Sequence, residues 1–127
     1  MSHPFPSRSG LIIVRAEVSG PAGRINAELA LDTGATTSII DDKILRAAGH
    51  DPDASSDHTS VMTGAGKVAA PRLMINRLTA LGRHAIGLRV LSHALPADAE
   101  VDGLLGLDFF RGLALTIDFR AGRITLA

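Results

Sequence analysis

An aliphatic stretch, Ala27-Glu28-Leu29-Ala30-Leu31, runs directly into Asp32-Thr33-Gly34, and this junction constrains the chain more than any other feature. An acid at the end of a rigid apolar strand projects into a cleft where water cannot simply solvate it. The chain must then turn sharply without crowding the carboxylate, which favours a residue lacking a side chain two positions on. Gly34 stands there, and Thr33 offers a hydroxyl for a backbone group or a symmetry mate. Far downstream comes a second element, Leu104-Leu105-Gly106.

Such an acid suits water activation, but that chemistry uses two carboxylates sharing one proton, one acting as base and the other as acid. The sequence carries one Asp-Thr-Gly, and at 127 residues it makes one domain with a real core rather than two lobes with a motif each. A homodimer with its two-fold axis between two copies of Asp32 would supply the missing carboxylate.

Local signals arrange the rest of the chain. Residues 1–10, with two prolines, three serines and a glycine, read as a mobile N-terminal arm denied both helix and ladder, so the domain spans 11–127. Leu11 to Val18 and Arg24 to Leu31 flank Ser19-Gly20-Pro21-Ala22-Gly23 as a hairpin. Thr36 to Ile40 reads as a short strand, and Asp41 or Asp42 caps a helix through Ala48 that Gly49 ends. Thr59 to Ala70 is a hairpin with Gly64-Ala65-Gly66 at its tip, where glycines permit positive φ. Arg72 to Leu81 and His84 to Ser92 are expected as two strands around Gly82-Arg83. Val101 to Leu105 is apolar enough to be buried on both faces, and Gly106 opens a short helix to about Arg111. Leu113 to Phe119 and Arg123 to Leu126 form a last hairpin, whose open edges make it the expected interface between copies.

Composition excludes several functions. Thirteen basic and thirteen acidic residues balance, and the aromatics are four phenylalanines, so neither a basic field nor a stacking platform recruits nucleic acid. The absence of cysteine removes disulfides and thiolate chemistry. Without a long apolar run or a signal-like start, the expectation is a soluble, cytoplasmic protein with no membrane partner. The acidic loop His50 to His58 fails as a calcium site, because Ser56 replaces the turn glycine and Met62 the bidentate Glu, and its histidines match no zinc pattern. Val61 and Val68 likewise break a phosphate-loop reading of Gly64-Ala65-Gly66-Lys67. No metal or cofactor is expected.

Ala30 to Ile40 and Val101 to Phe110 resemble the two signatures of the retroviral-type, or retropepsin-like, aspartic proteases, including their bacterial single-domain members, and with the C-terminal strands the resemblance extends over most of the chain from Leu11. It implies a mainly β fold, a closed or partly open barrel of the retropepsin type with one or two short helices. It implies Asp32 as the catalytic acid, with Thr33, Gly34 and Ala35 supporting the active-site loop. Val61, Met62, Thr63, Gly64, Ala65 and Gly66 become a mobile flap over an extended peptide, and Ile39, Leu104 and Leu105 line apolar subsites. Asp102 and Asp108 are rival carboxylates, read as structural hydrogen-bonding groups. The viral members commonly carry an acid four residues after the catalytic Asp and an Arg after the second motif glycine. Thr36 and Leu107 stand at those positions, which implies a different or weaker dimer, with Asp108, beside Thr36 or Thr37, as a substitute anchor. The expected function is therefore an aspartic endopeptidase acting as a homodimer on peptide or protein substrates. A catalytically silent or partner-activated peptide-binding module of the same fold is the alternative.

Overall fold

A computed structural model describes residues 2–6, 10–64 and 66–127. Among them the strands are β1 (Ser2–Pro4), β2 (Ile13–Gly20), β3 (Gly23–Leu31), β4 (Ile39–Ile40), β5 (His58–Thr63), β6 (Gly66–Met74), β7 (Arg77–Ala80), β8 (Arg83–Ile86), β9 (Arg89–Ser92), β10 (Gly103–Leu105), β11 (Leu115–Asp118) and β12 (Arg123–Leu126). Helix α1 covers Asp42–Ala47 and α2 Leu107–Phe110, with a single 3-10 turn at Pro52–Ala54.

Nine strands form one curled half-barrel sheet in the order β5-β6-β9-β4-β10-β3-β2-β7-β8, and a small sheet has the order β1-β12-β11. The β2–β3 hairpin closes with Gly20 opposite Gly23, and its inward residues Val14, Ala16, Val18, Ala27 and Leu29 are buried. They join Ile40, Leu45, Leu78, Val90, Leu105 and Phe109 in one core. A core of aliphatic side chains this dense is held chiefly by removal of apolar surface from water.

Two pairings in the large sheet are parallel: β10 beside β3, with Leu105 opposite Leu31, and β4 beside β9, with Ile39 opposite Leu91. Both bring together segments far apart in the chain; the first flanks the end of β3, and the second lies one strand further on, beyond β10. Asp41 caps α1 by accepting the Lys43 N–H at 2.9 Å, and Gly49, at φ +95°, ends it.

Five expectations require correction. Residues 2–4 of the arm do join a ladder: β1 pairs with β12, the Phe5 N–H donates to the Gly122 carbonyl at 2.7 Å, and Phe5 is buried with its ring edge-on to Phe119. An apolar ring with a place in the core outweighs the prolines' lack of donors. The inner edge of β12 is therefore already occupied within the chain. Next, the expected strand Arg72 to Leu81 divides, because β6 follows β9 as far as Met74 and β7 then pairs with β2 and β8. His84 to Ser92 divides in register with it: the Ile75 N–H donates to Leu88 O and the Gly87 N–H to Asn76 O, with Gly87 at φ +64°. Finally, of Thr36 to Ile40 only Ile39–Ile40 is strand, and Val101 to Leu105 shortens to Gly103–Leu105.

Leu81, in the two-residue turn between β7 and β8, holds φ +52°, a region a leucine rarely adopts. Its burial offsets that cost. Among the described residues no helix is long and apolar enough to cross a membrane.

Candidate active site

Asp32 follows the last residue of β3 and is half-buried. Three main-chain bonds fix the loop that begins there: the Asp32 N–H donates to Leu105 O at 2.9 Å, the Ala35 N–H to Asp32 O at 3.2 Å, and the Leu107 N–H to Ala35 O at 2.8 Å. The Gly34 N–H donates to Asp32 Oδ1 at 2.9 Å, and a Cβ on Gly34 would stand 3.1 Å from that oxygen. The turn thus orients the carboxylate, and a side chain at position 34 would press on it. Thr33 is exposed beside it.

The second element packs against this loop. Gly106 comes so close to it that a Cβ there would lie 2.7 Å from Ala35 O and 3.0 Å from Thr37 C. Glycine at 106 is therefore required by proximity. Beyond it, Asp108 meets Ser38: Oδ2 accepts the Ser38 N–H at 3.0 Å and Oδ1 accepts the Ser38 hydroxyl at 2.7 Å. The substitute anchor expected at Thr36 or Thr37 is instead Ser38, which is entirely buried beneath the loop while Thr36 faces outward. Asp102 binds elsewhere, accepting the Glu28 N–H through Oδ2 at 2.9 Å.

A cleft of about 390 Å³ opens at the carboxylate, lined by Asp32, Gly34, Ala35, Thr36 and Thr37, by Ile39, Leu91 and Leu104, and by Thr59, Ser60, Val61 and Met62 of β5. The fold therefore gathers Asp32, Gly34, Ala35, Ile39, Leu104, Val61 and Met62 around one space. Leu105 is not among them. It is fully buried in the core, because neighbours in a strand face opposite ways and Leu104 takes the cleft side. Gly64 and Gly66, at the hairpin's far end, do not line the cleft; Ala65 lies outside the described residues.

Sequence reasoning missed Thr59, Ser60 and Leu91. Period-two alternation back from Val61 would have found Thr59. Leu91 reaches the cleft through its parallel pairing with Ile39, which no local signal announces.

Among the described residues that line the cleft, Asp32 is the one ionisable group. The acidic loop's carboxylates are engaged by arginines instead: Asp53 and Asp51 lie 3.0 and 3.4 Å from Arg46, and Asp57 lies 3.4 Å from Arg89. The hydrogen bond with Asp53 leads the influences that raise the Arg46 guanidinium above its ordinary range, against a lowering by desolvation. Among the described residues no three His, Asp or Glu side chains converge as metal ligands.

Residues 20–112 match a family model described as "gag-polyprotein putative aspartyl protease". The fold is similar to a retropepsin-like aspartic protease from Rickettsia conorii, with a TM-score of 0.73 and 19% identity over 99% of this chain and 88% of that one. It is also similar to EIAV protease solved in complex with the inhibitor HBY-793, with a TM-score of 0.60 and 17% identity over 84% of this chain and 91% of that one. No curated protein sequence matches the chain.

Proposed function

This chain belongs to the gag-polyprotein aspartyl protease family, and from that premise we propose that it is an aspartic endopeptidase working as a homodimer. In this reading residues 11–127 are one protease domain, onto which β1 and Phe5 pack, and each subunit gives its Asp32 to a dyad on the two-fold axis. The observation that carries the reading is the setting of Asp32: a half-buried carboxylate, oriented by its own turn, on the wall of a cleft whose other described lining residues are uncharged.

Two such carboxyl groups held together cannot both ionise and share one proton. The ionised member takes a proton from a bound water as that water's oxygen attacks the scissile carbonyl carbon. The protonated member gives its proton to the carbonyl oxygen, leaving a neutral tetrahedral intermediate. On collapse the protonated carboxyl gives its proton to the leaving nitrogen as the C–N bond breaks, the ionised one takes a hydroxyl proton as the carbonyl re-forms, and the dyad again holds one shared proton. The reaction forms no covalent enzyme intermediate and calls on no metal.

The β5–β6 hairpin supports a flap role. β5 is an edge strand of the large sheet, so its unpaired side is available for an extended peptide, and Thr59 to Met62 already line the cleft. Gly66, at φ +102°, gives the tip a conformation that side chains resist. Closure of the hairpin would exclude water from the dyad. Ile39, Val61, Leu91 and Leu104 favour uncharged, apolar residues beside the cut.

The test is digestion of a proteome-derived peptide library at high protein concentration, from acidic to neutral pH, with wild type and Asp32→Asn compared by mass spectrometry. Cleavage by wild type alone is expected. Silence from both proteins, with a dimer present, would overturn the enzyme reading in favour of a peptide-binding module.

A further inference from the structure

We infer that Asp108 is a positioning residue for Asp32, acting through Ser38. The kinetic consequence rests on the peptidase reading above, whereas the hydrogen-bond argument stands without it.

The buried Ser38 hydroxyl has both its roles assigned. It accepts the Gly106 N–H at 2.9 Å and donates to Asp108 Oδ1 at 2.7 Å, so its proton points one way. Asp108 Oδ1 also accepts the Phe109 N–H at 2.9 Å, and Oδ2 takes the Ser38 N–H at 3.0 Å. The carboxylate thus receives three N–H or O–H donors on its two oxygens, which an ionised carboxylate can do and a neutral amide cannot.

The result is a closed circuit between the end of the Asp32 loop and the start of α2. The loop runs from Asp32 to Ser38 and is tied to the second element at Leu105 O, at the Leu107 N–H and at Asp108. The first two ties are main-chain bonds that any residues could form. The third depends on side-chain identity, and it closes the loop's far end. Without it the Ser38 N–H and hydroxyl lose their acceptor, and nothing holds the hydroxyl in place to receive the Gly106 N–H, in a site where Ser38 and Gly106 are buried. The loop would then relax toward new partners, carrying the Asp32 carboxylate from its place opposite a mate. Misplacement of a reacting group by about 1 Å costs on the order of a hundredfold in rate.

Asp108→Asn is near-isosteric and leaves the backbone free to refold around it, since one amide orientation keeps the Oδ1 contacts while turning a donor toward the Ser38 N–H. Ser38→Ala removes the hydroxyl relay from the other side. Two readouts are made on each variant and on the double variant. The first is peptide cleavage: kcat is expected to fall about 10- to 100-fold with KM within about threefold, and the double variant to lose no more than the worse single one, as for residues acting in one chain. The second needs no activity: amide exchange at Gly106, Asp32 and Gly34 is expected to accelerate by at least about tenfold while exchange in the β2–β3 hairpin stays slow.

Unchanged kcat in both variants, or losses that multiply in the double variant, would overturn the inference. So would unchanged exchange at all three amides. If wild type cleaves nothing while exchange accelerates as described, the enzyme reading fails and the tie between Asp108 and the Asp32 loop remains.

Discussion

Leu104 and Leu105 are adjacent in β10 yet belong to different parts of the molecule: Leu104 lines the cleft with Asp32, and Leu105 is entirely buried in the core. Their substitutions should therefore separate. Leu105→Ala is expected to destabilise the protein by about 2–5 kcal/mol, read by urea unfolding. Leu104→Ala should leave stability nearly unchanged and alter which residues are accepted beside the cut. Equal destabilisation by the two would contradict the assignment of faces.

Gly106→Ala is expected to cost about 1–3 kcal/mol through overpacking against Ala35 O and Thr37 C, and to slow cleavage more than the stability loss explains. The comparison is kcat against melting temperature. Wild-type kinetics in a folded Gly106→Ala protein would show that the loop yields without moving the acid.

Phe5 lies in the core rather than on a free arm, so Phe5→Ala should lower stability by about 2–4 kcal/mol, allowing for its place near a chain end. Denaturant midpoints of this variant and of a Pro4→Ala control decide the matter. A Phe5→Ala protein as stable as wild type would restore the arm.

If two copies of Asp32 make one active site, mixing wild type with an equal amount of Asp32→Asn should lower total activity to about half, because random pairing dilutes the competent dimers. The assay is run above the concentration at which specific activity stops rising. Undiminished activity on mixing would mean that each chain works alone.

The parts of the fold readable in the sequence were those whose cause is local. The β2–β3 hairpin follows from alternation and a Gly-Pro-Ala-Gly turn, α1 from Asp41 and Gly49, and the site itself from a strand ending in Asp32-Thr33-Gly34. What escaped was decided by partners distant in the chain. The break at Ile75-Asn76 exists because β6 and β7 answer to different neighbours, and it matches a glycine turn at Gly87 that nothing nearby predicts. Leu91 joins the cleft through Ile39, and Ser38, which looks like any loop serine, matters because Asp108 lies over it. The arm was misread for a related reason: two prolines are a local signal, and the pocket that takes Phe5 is not.

The bond from the Asp32 N–H to Leu105 O joins residues on either side of most of the domain. Such long-range closures form late, after intervening chain has been ordered, and they are absent in any shorter fragment. During synthesis the loop bearing Asp32 leaves the ribosome well before Leu105, Gly106 and Asp108 do, so it has no support for its shape at that stage. On the peptidase reading, the acid is carried through translation unarmed, and a chain truncated before Asp108 is expected to cleave no peptide.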